Sequence, residues 1–229
     1  MLLSRATARA PAGVAISGAF GVEAGVASQD SSPCGAEEAL ARLKAGNSRF
    51  VDGTARFPTV QKEILAELAK GQQPYATILG CSDSRVPPEL VFDAGFGELF
   101  VIRVAGNVLS SAILGTLQYA GSHLHTQLFV IMGHEDCGAV KAALAAKFEG
   151  ARQASRIEVL LERVTPALDG LDPTQPAESL LREAVEANVR NAVRELLATP
   201  EAQVRLATSG MKVVGAVYEL ESGRVRFLE

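Results

Sequence analysis

The chain has 229 residues, 48% of them hydrophobic, and its 22 basic and 26 acidic side chains leave a net charge of -4, a composition that suits a soluble globular protein with one sizeable core. Nothing in that balance suggests the basic stripe that neutralises phosphates, and with no tryptophan and 5% aromatics neither base-stacking platforms nor membrane belts are expected, so no nucleic-acid partner is predicted. No run of about 18 apolar residues occurs, so no membrane span is expected, and three cysteines cannot all be paired, which turns attention from disulfides to metal or redox chemistry.

Residues 1–35 differ from the rest. Arg5 and Arg9 come early, no acid precedes Glu23, Val14 to Val22 is small and apolar, and Gly25-Val26-Ala27 offers small residues for cleavage. This resembles an export signal and predicts a periplasmic or secreted protein, the alternative being a disordered leader on a cytoplasmic one. Residues 36–229 read as a single domain. Ala39, Leu40, Leu43, Phe50 and Val51 form one helical stripe closed by Asp52-Gly53, and Ile64, Leu65 and Leu68 continue in a second helix stopped by Gly71 to Pro74.

Tyr75 to Gly80 is the first central strand. Pro87-Pro88 forbids an immediate return to regular pairing, and Leu99 to Val104 is the next strand. Ser110 or Ser111 caps a helix carrying Ile113, Leu114, Leu117 and Tyr119, which leads to a strand over Gln127 to Gly133. Helices are expected over Gly138 to Phe148, Ile157 to Leu168 and Glu178 to Leu197, and Met211 to Leu220 with Val225 to Leu228 reads as a hairpin at the sheet edge. Near-continuous apolar strands alternating with helices predict an α/β fold with a mainly parallel central sheet flanked by helices.

Two strand ends carry the chemistry. Cys81-Ser82-Asp83-Ser84-Arg85 follows the first strand, and His134-Glu135-Asp136-Cys137 follows the strand ending at Gly133. If those strands are parallel neighbours, Cys81, His134 and Cys137 emerge at one carboxyl edge, where open α/β sheets place their sites. Two sulfurs and an imidazole suit Zn2+, and three ligands without a fourth leave the open position of a catalytic site. A helix starting behind Cys137 would favour thiolates.

Two rival readings exist. Cys81 to Arg85 could be a phosphatase or sulfurtransferase loop, but the loop is short and Asp83 would repel an anion. His123, His125 and His134 could form a three-histidine site, although the first two sit at a helix end, where capping or surface roles are commoner.

The two motifs together resemble the β-class carbonic anhydrases, and the likeness runs from about Ala36 to the carboxyl terminus. Gly46-Asn47-x-Arg49-Phe50, Gly71-Gln72-x-Pro74 and Arg103-Val104-Ala105-Gly106-Asn107 also match the family's pattern. The resemblance implies one Zn2+ per chain on Cys81, His134 and Cys137, with Asp83 and Arg85 as a dyad beside the metal. Asp83 is a candidate fourth ligand in a closed state. A narrow pocket for carbon dioxide and bicarbonate would be lined by Gln72, Phe100, Ala105, Tyr119 and Gly138.

The family likeness further implies a homodimer or homotetramer with the pocket at the subunit interface. Members inhibited by bicarbonate carry a tryptophan three residues before the first zinc cysteine. Ile78 stands there, which implies that the regulatory site is missing. The expected reaction is attack of zinc-bound hydroxide on carbon dioxide. Hydrolysis of carbon disulfide or carbonyl sulfide on the same scaffold, or a non-catalytic zinc-stabilised interaction module, are the alternatives.

Overall fold

The computed structural model describes residues 34–56 and 62–228, so the export-like stretch lies, apart from its last two residues, outside the described residues. The helices are α1 (Ala36–Val51), α2 (Lys62–Leu68), α3 (Pro88–Val91), α4 (Ser111–His123), α5 (Gly138–Phe148), α6 (Ser155–Val164), α7 (Ala177–Leu197) and α8 (Pro200–Thr208). The strands β1 (Ala76–Gly80), β2 (Leu99–Arg103), β3 (Leu128–His134), β4 (Lys212–Tyr218) and β5 (Val225–Leu228) form one sheet in the order β2-β1-β3-β4-β5. The first four run parallel and β5 returns antiparallel along β4. This is the mainly parallel, helix-flanked sheet with an edge hairpin that the alternation of apolar runs predicts.

Strand alternation sends neighbouring side chains to opposite faces, so β1 and β3 feed two cores. Leu79, Phe129 and Ile131 join Leu117, Val140 and Val189 from α4, α5 and α7. Ile78, Leu128, Val130 and Met132 meet Ala39, Leu40 and Leu43 of α1 on the other face. Every residue of β1 and β3 is buried. Each fully buried large side chain contributes about 1.5–3 kcal/mol of hydrophobic stabilisation.

Several elements depart from the sequence reading. The helix expected over Ile157 to Leu168 ends as α6 at Val164 and tightens into a 3-10 turn over Thr165–Leu168, because Pro166 has no N–H for the α ladder. The unforeseen α8 begins at Pro200, where the Thr199 hydroxyl accepts from the Ala202 amide at 3.3 Å, a standard cap with proline in the first turn. Pro87-Pro88 does end regular pairing, and α3 starts on it. The second predicted helix exists, but α2 buries none of its residues, with Ile64 and Leu65 at 42% and 49% exposure. Among the described residues no helix is long and apolar enough to cross a membrane.

The Gly46-Asn47-x-Arg49-Phe50 stretch anchors α1 to the rest of the chain. The buried Asn47 side chain donates to the carbonyls of Val91 (3.1 Å) and Gly223 (2.9 Å) and accepts from the Val225 amide (2.8 Å). It thereby ties α1 to the segment after β1 and to the terminal hairpin. Two residues on, Arg49 Nε meets Asp93 Oδ2 at 2.6 Å, and Arg56 adds its backbone amide (2.8 Å) and Nε (3.1 Å) to the same carboxylate. The Asp93 side chain is fully buried. Burial pushes its pKa up, but the hydrogen bonds from Arg49 and Arg56 outweigh that and hold it below the ordinary value.

A depressed folded-state pKa adds stability above the unfolded value of about 3.9, and that stability is lost as pH falls through the folded value. Asp93→Asn should therefore cost about 1–3 kcal/mol at pH 7. The gap to wild type should close at pH below about 4. Urea unfolding of both proteins from neutral to acid pH checks this, and a gap that persists undiminished in acid would sink it.

Candidate metal centre and active site

β1 and β3 are parallel neighbours with Gly80 opposite Met132. Cys81 follows Gly80 directly and His134 lies two residues beyond Met132, so both reach the carboxyl edge. Asp136, left-handed at φ 59, turns the chain so that Cys137 precedes α5. The result is a cluster in which the Cys81 and Cys137 sulfurs and a His134 ring nitrogen all lie within 4.8 Å of one another, every residue buried.

The ring is set for metal binding. His134 Nδ1 lies 2.8 Å from the Glu135 carbonyl, which selects the Nδ1–H tautomer and leaves the Nε2 lone pair facing the sulfurs. Nε2 is buried without a hydrogen-bond partner, a costly state for a polar atom that a cation would relieve.

The sulfurs are surrounded by donors. The Gly106 amide donates to Cys81 Sγ at 3.3 Å, and the Gly106 carbonyl is held by Asn188 Nδ2 at 2.9 Å. A hydrogen bond from the Cys137 thiol, opposed by burial and helped by His134 and the Asp83 and Gly106 amides, pulls the Cys81 pKa well below the ordinary thiol value. The same bond pushes Cys137 up, since that thiol then holds the shared proton, while the Val140 and Ala139 amides at the start of α5 act the other way. Burial works against charge on His134, but the Cys81 sulfur outweighs it and raises the imidazole pKa. A dication would replace the protons held between these three groups, as metal binding to thiols requires. The residues fit Zn2+.

Asp83 and Arg85 form a bidentate pair beside the cluster. Arg85 Nε and Nη2 donate to Asp83 Oδ1 (2.9 Å) and Oδ2 (2.7 Å), and the Arg85 amide adds a bond to Oδ1 at 2.9 Å. The Asp83 carboxyl is consequently held far below its usual range, chiefly by the Arg85 guanidinium. Asp83 Oδ2 lies 3.8 Å from His134 Nε2. Arg103, at the end of β2, fixes the loop from outside: Nε donates to the Cys81 carbonyl at 2.9 Å and Nη2 to the Asp83 carbonyl.

The five residues assigned to the pocket fall into two groups. Ala105 precedes the Gly106 amide and Gly138 follows Cys137, both next to the cluster. Phe100 and Tyr119 face each other with ring centroids 6.2 Å apart, and Tyr119 stacks on His123 at 4.7 Å. Phe100 is paired with Thr77 near the amino end of β1, and Gln72 precedes β1 altogether. A five-residue strand, about 16 Å long, separates that edge from the ligands. His123 and His125 also lie before β3, whose seven residues place His134 at the far end. The three-histidine alternative is therefore overturned by distance.

Sequence reasoning assigned no role to Asn188, nor to Arg103 and Gly106 beyond a motif match. Asn188 lies 82 positions from its partner Gly106, and no local pattern announces such a bond.

Comparison with known proteins agrees with this geometry. The carbonic anhydrase family profile matches residues 76–225. Carbonic anhydrase 2 of Mycobacterium tuberculosis is 41% identical over 188 residues, covering 80% of this chain and 87% of that protein. The β-carbonic anhydrase of Coccomyxa, solved with acetazolamide, superposes with a TM-score of 0.67 at 29% identity over 82% of this chain and 86% of that one. A tetrameric β-carbonic anhydrase from Sordaria macrospora shares the fold with a TM-score of 0.68 at 24% identity, covering 80% and 93%. With the profile spanning most of the chain and the cysteine–histidine–cysteine cluster at the sheet's carboxyl edge, the chain belongs to the β-carbonic anhydrase family, whose reaction is the reversible hydration of carbon dioxide.

Proposed function

We propose that Cys81, His134 and Cys137 hold one zinc ion per chain and that Asp83 and Arg85 orient the reactants for carbon dioxide hydration. The observation that carries this reading is the buried His134 Nε2, without a hydrogen-bond partner, on a ring that places a nitrogen within 4.8 Å of both sulfurs. Bound there, zinc supplies hydroxide near neutral pH by lowering the pKa of its water. The protein's own groups do the rest. Asp83 stays a carboxylate because Arg85 holds its pKa so low. It is thus a hydrogen-bond acceptor and a poor base: Oδ2 can accept from the attacking oxygen and fix its direction, while the released proton leaves to solvent. Arg85 keeps that carboxylate aimed, and Arg103 keeps the loop beneath it in place. With both Asp83 oxygens engaged by Arg85, a permanent fourth-ligand role is disfavoured, and with it the closed, non-catalytic zinc module.

The pocket itself is completed between subunits. Gln72, Phe100 and Tyr119 stand across the sheet from their own chain's ligands. They are therefore assigned to a neighbouring copy's site, which accounts for the 46% exposure of Tyr119. The tetramer of the Sordaria relative supports assembly into a dimer or tetramer.

Stopped-flow hydration with metal analysis on the same sample tests the reading. Wild type should carry about one zinc per chain and turn over. Asp83→Ala and Arg85→Ala should keep zinc and lose about a hundredfold in rate, because orientation goes while the ligands remain. Near-native turnover in both variants would reduce the pair to a loop salt bridge, and zinc without hydration in wild type would favour the interaction module.

A further inference from the structure

Asp136 stands between two of the ligands, His134 and Cys137, and the dyad leaves it without a task. Its backbone is left-handed at φ 59, a conformation that asparagine and aspartate tolerate better than other residues with side chains. Each of its carboxylate oxygens meets a different cation. Oδ1 pairs with Lys141 Nζ from the first turns of α5, and Oδ2 lies 3.7 Å from Arg85 Nη1. Arg85 spends Nε and Nη2 on Asp83, so its remaining terminal nitrogen is the one turned to Asp136. Four side chains of alternating charge, Lys141, Asp136, Arg85 and Asp83, thus run from the surface of α5 to the ligand cluster.

We propose that Asp136 is a positioning residue for Arg85, holding the free side of the guanidinium so that the fork keeps its geometry on Asp83. The proposal rests on the dyad reading given above. An arginine side chain 48% exposed has many rotamers to lose, and one bidentate partner fixes one edge of the fork only. A second carboxylate on Nη1 ties the loop after β1 to the turn before α5, the two segments that carry the ligands. Lys141 neutralises the other oxygen and aims the pair. Both members are about half exposed (48% and 50%), so the contact has the strength of a surface ion pair. That corresponds to a two- to fivefold effect on rate, screened by salt.

The test uses zinc-loaded, full-length protein. Asp136→Asn keeps the side-chain shape and suits the left-handed backbone, so zinc content and melting temperature should match wild type. At low ionic strength, kcat should fall about two- to fivefold with KM unchanged. Lys141→Met should act in the same direction and more weakly. Raising ionic strength from about 10 to 300 mM should bring wild type down toward Asp136→Asn while that variant barely responds. In an Arg85→Ala background, whose residual rate is read against an enzyme-free blank, Asp136→Asn should change nothing, whereas a merely structural role would persist there.

Wild-type kcat in Asp136→Asn at low salt, or an equal loss with and without Arg85, overturns the proposal. If Arg85→Ala is itself fully active, the dyad reading fails first. If Arg85→Ala is impaired while Asp136→Asn equals wild type, only the role of Asp136 is lost.

Discussion

Cys81→Ser, His134→Ala and Cys137→Ser are each expected to lose the metal and, with it, hydration above the uncatalysed rate. Each residue supplies one of only three donors, and each is buried. Its loss leaves two protein ligands for a cation that takes four. Serine keeps the size of cysteine but presents a hydroxyl that stays protonated near neutral pH, so the negative charge that balances a dication disappears. His134→Ala opens a cavity beneath Glu135 as well, and some loss of stability should accompany it. The controls are His123→Ala and His125→Ala, at the opposite end of β3, which should keep both zinc and turnover. Metal analysis and stopped-flow rates on all five proteins decide the matter. Should the histidine controls lose zinc while the cysteine variants stay loaded, the ligand assignment is wrong.

The second large effect concerns the fold. Gly46 lies inside α1, and a Cβ built there would stand 1.9 Å from the Phe92 carbonyl oxygen and 2.8 Å from its carbon. Both are backbone atoms, so no side chain can swing aside. Alanine has a helix propensity about 1 kcal/mol better than glycine. An overlap this deep should cost about 3 kcal/mol or more, because α1 must move off the segment that Asn47 and Arg49 bind. The clash wins, and Gly46→Ala should lower the melting temperature by about 5–10 °C for a chain of this size. Gly115, on α4, has open space at the same position, so Gly115→Ala should be neutral or slightly stabilising. Equal melting temperatures for Gly46→Ala and wild type would refute the close approach.

The site was legible to the extent that its parts sit at the ends of strands. β1 and β3 announce themselves as apolar runs because parallel strands are covered on both faces, and whatever follows such a run lands on the carboxyl edge. Cys81, His134 and Cys137 could be placed together on that ground alone. Asp83 and Arg85 came with the first of them, two and four residues away, within reach of a single loop.

What stayed hidden depends on contacts that sequence spacing does not encode. Asn188 on α7 holds Gly106, and Gly46 meets the backbone of Phe92, because helices dock in particular orientations. The resemblance implied a pocket at a subunit interface, and the placement of Gln72 and Phe100 toward the amino end of β1, away from Ala105 and Gly138, agrees with the proposal that a second copy completes it. The stop at Pro166 and the cap at Thr199 are different. Both signals were present as local chemistry, a missing N–H and a hydroxyl ahead of a proline.

Because Cys81 and His134 leave neighbouring parallel strands in register, the spacing of the metal donors is ruled by the sheet's own repeat of about 4.8 Å between strands. The number of residues in the connection does not enter. Between β2 and β3, α4 forms an excursion whose length can change without moving the donors, provided the register of β1 on β3 survives and Arg103 and Gly106 stay against the Cys81 loop. A related chain could gain or lose a turn of α4 and keep an intact centre. A slip of one residue between β1 and β3 would instead turn every side chain of one strand to the opposite face and scatter the donors. In this architecture the sheet acts as the ruler, and the loops are free text written around it.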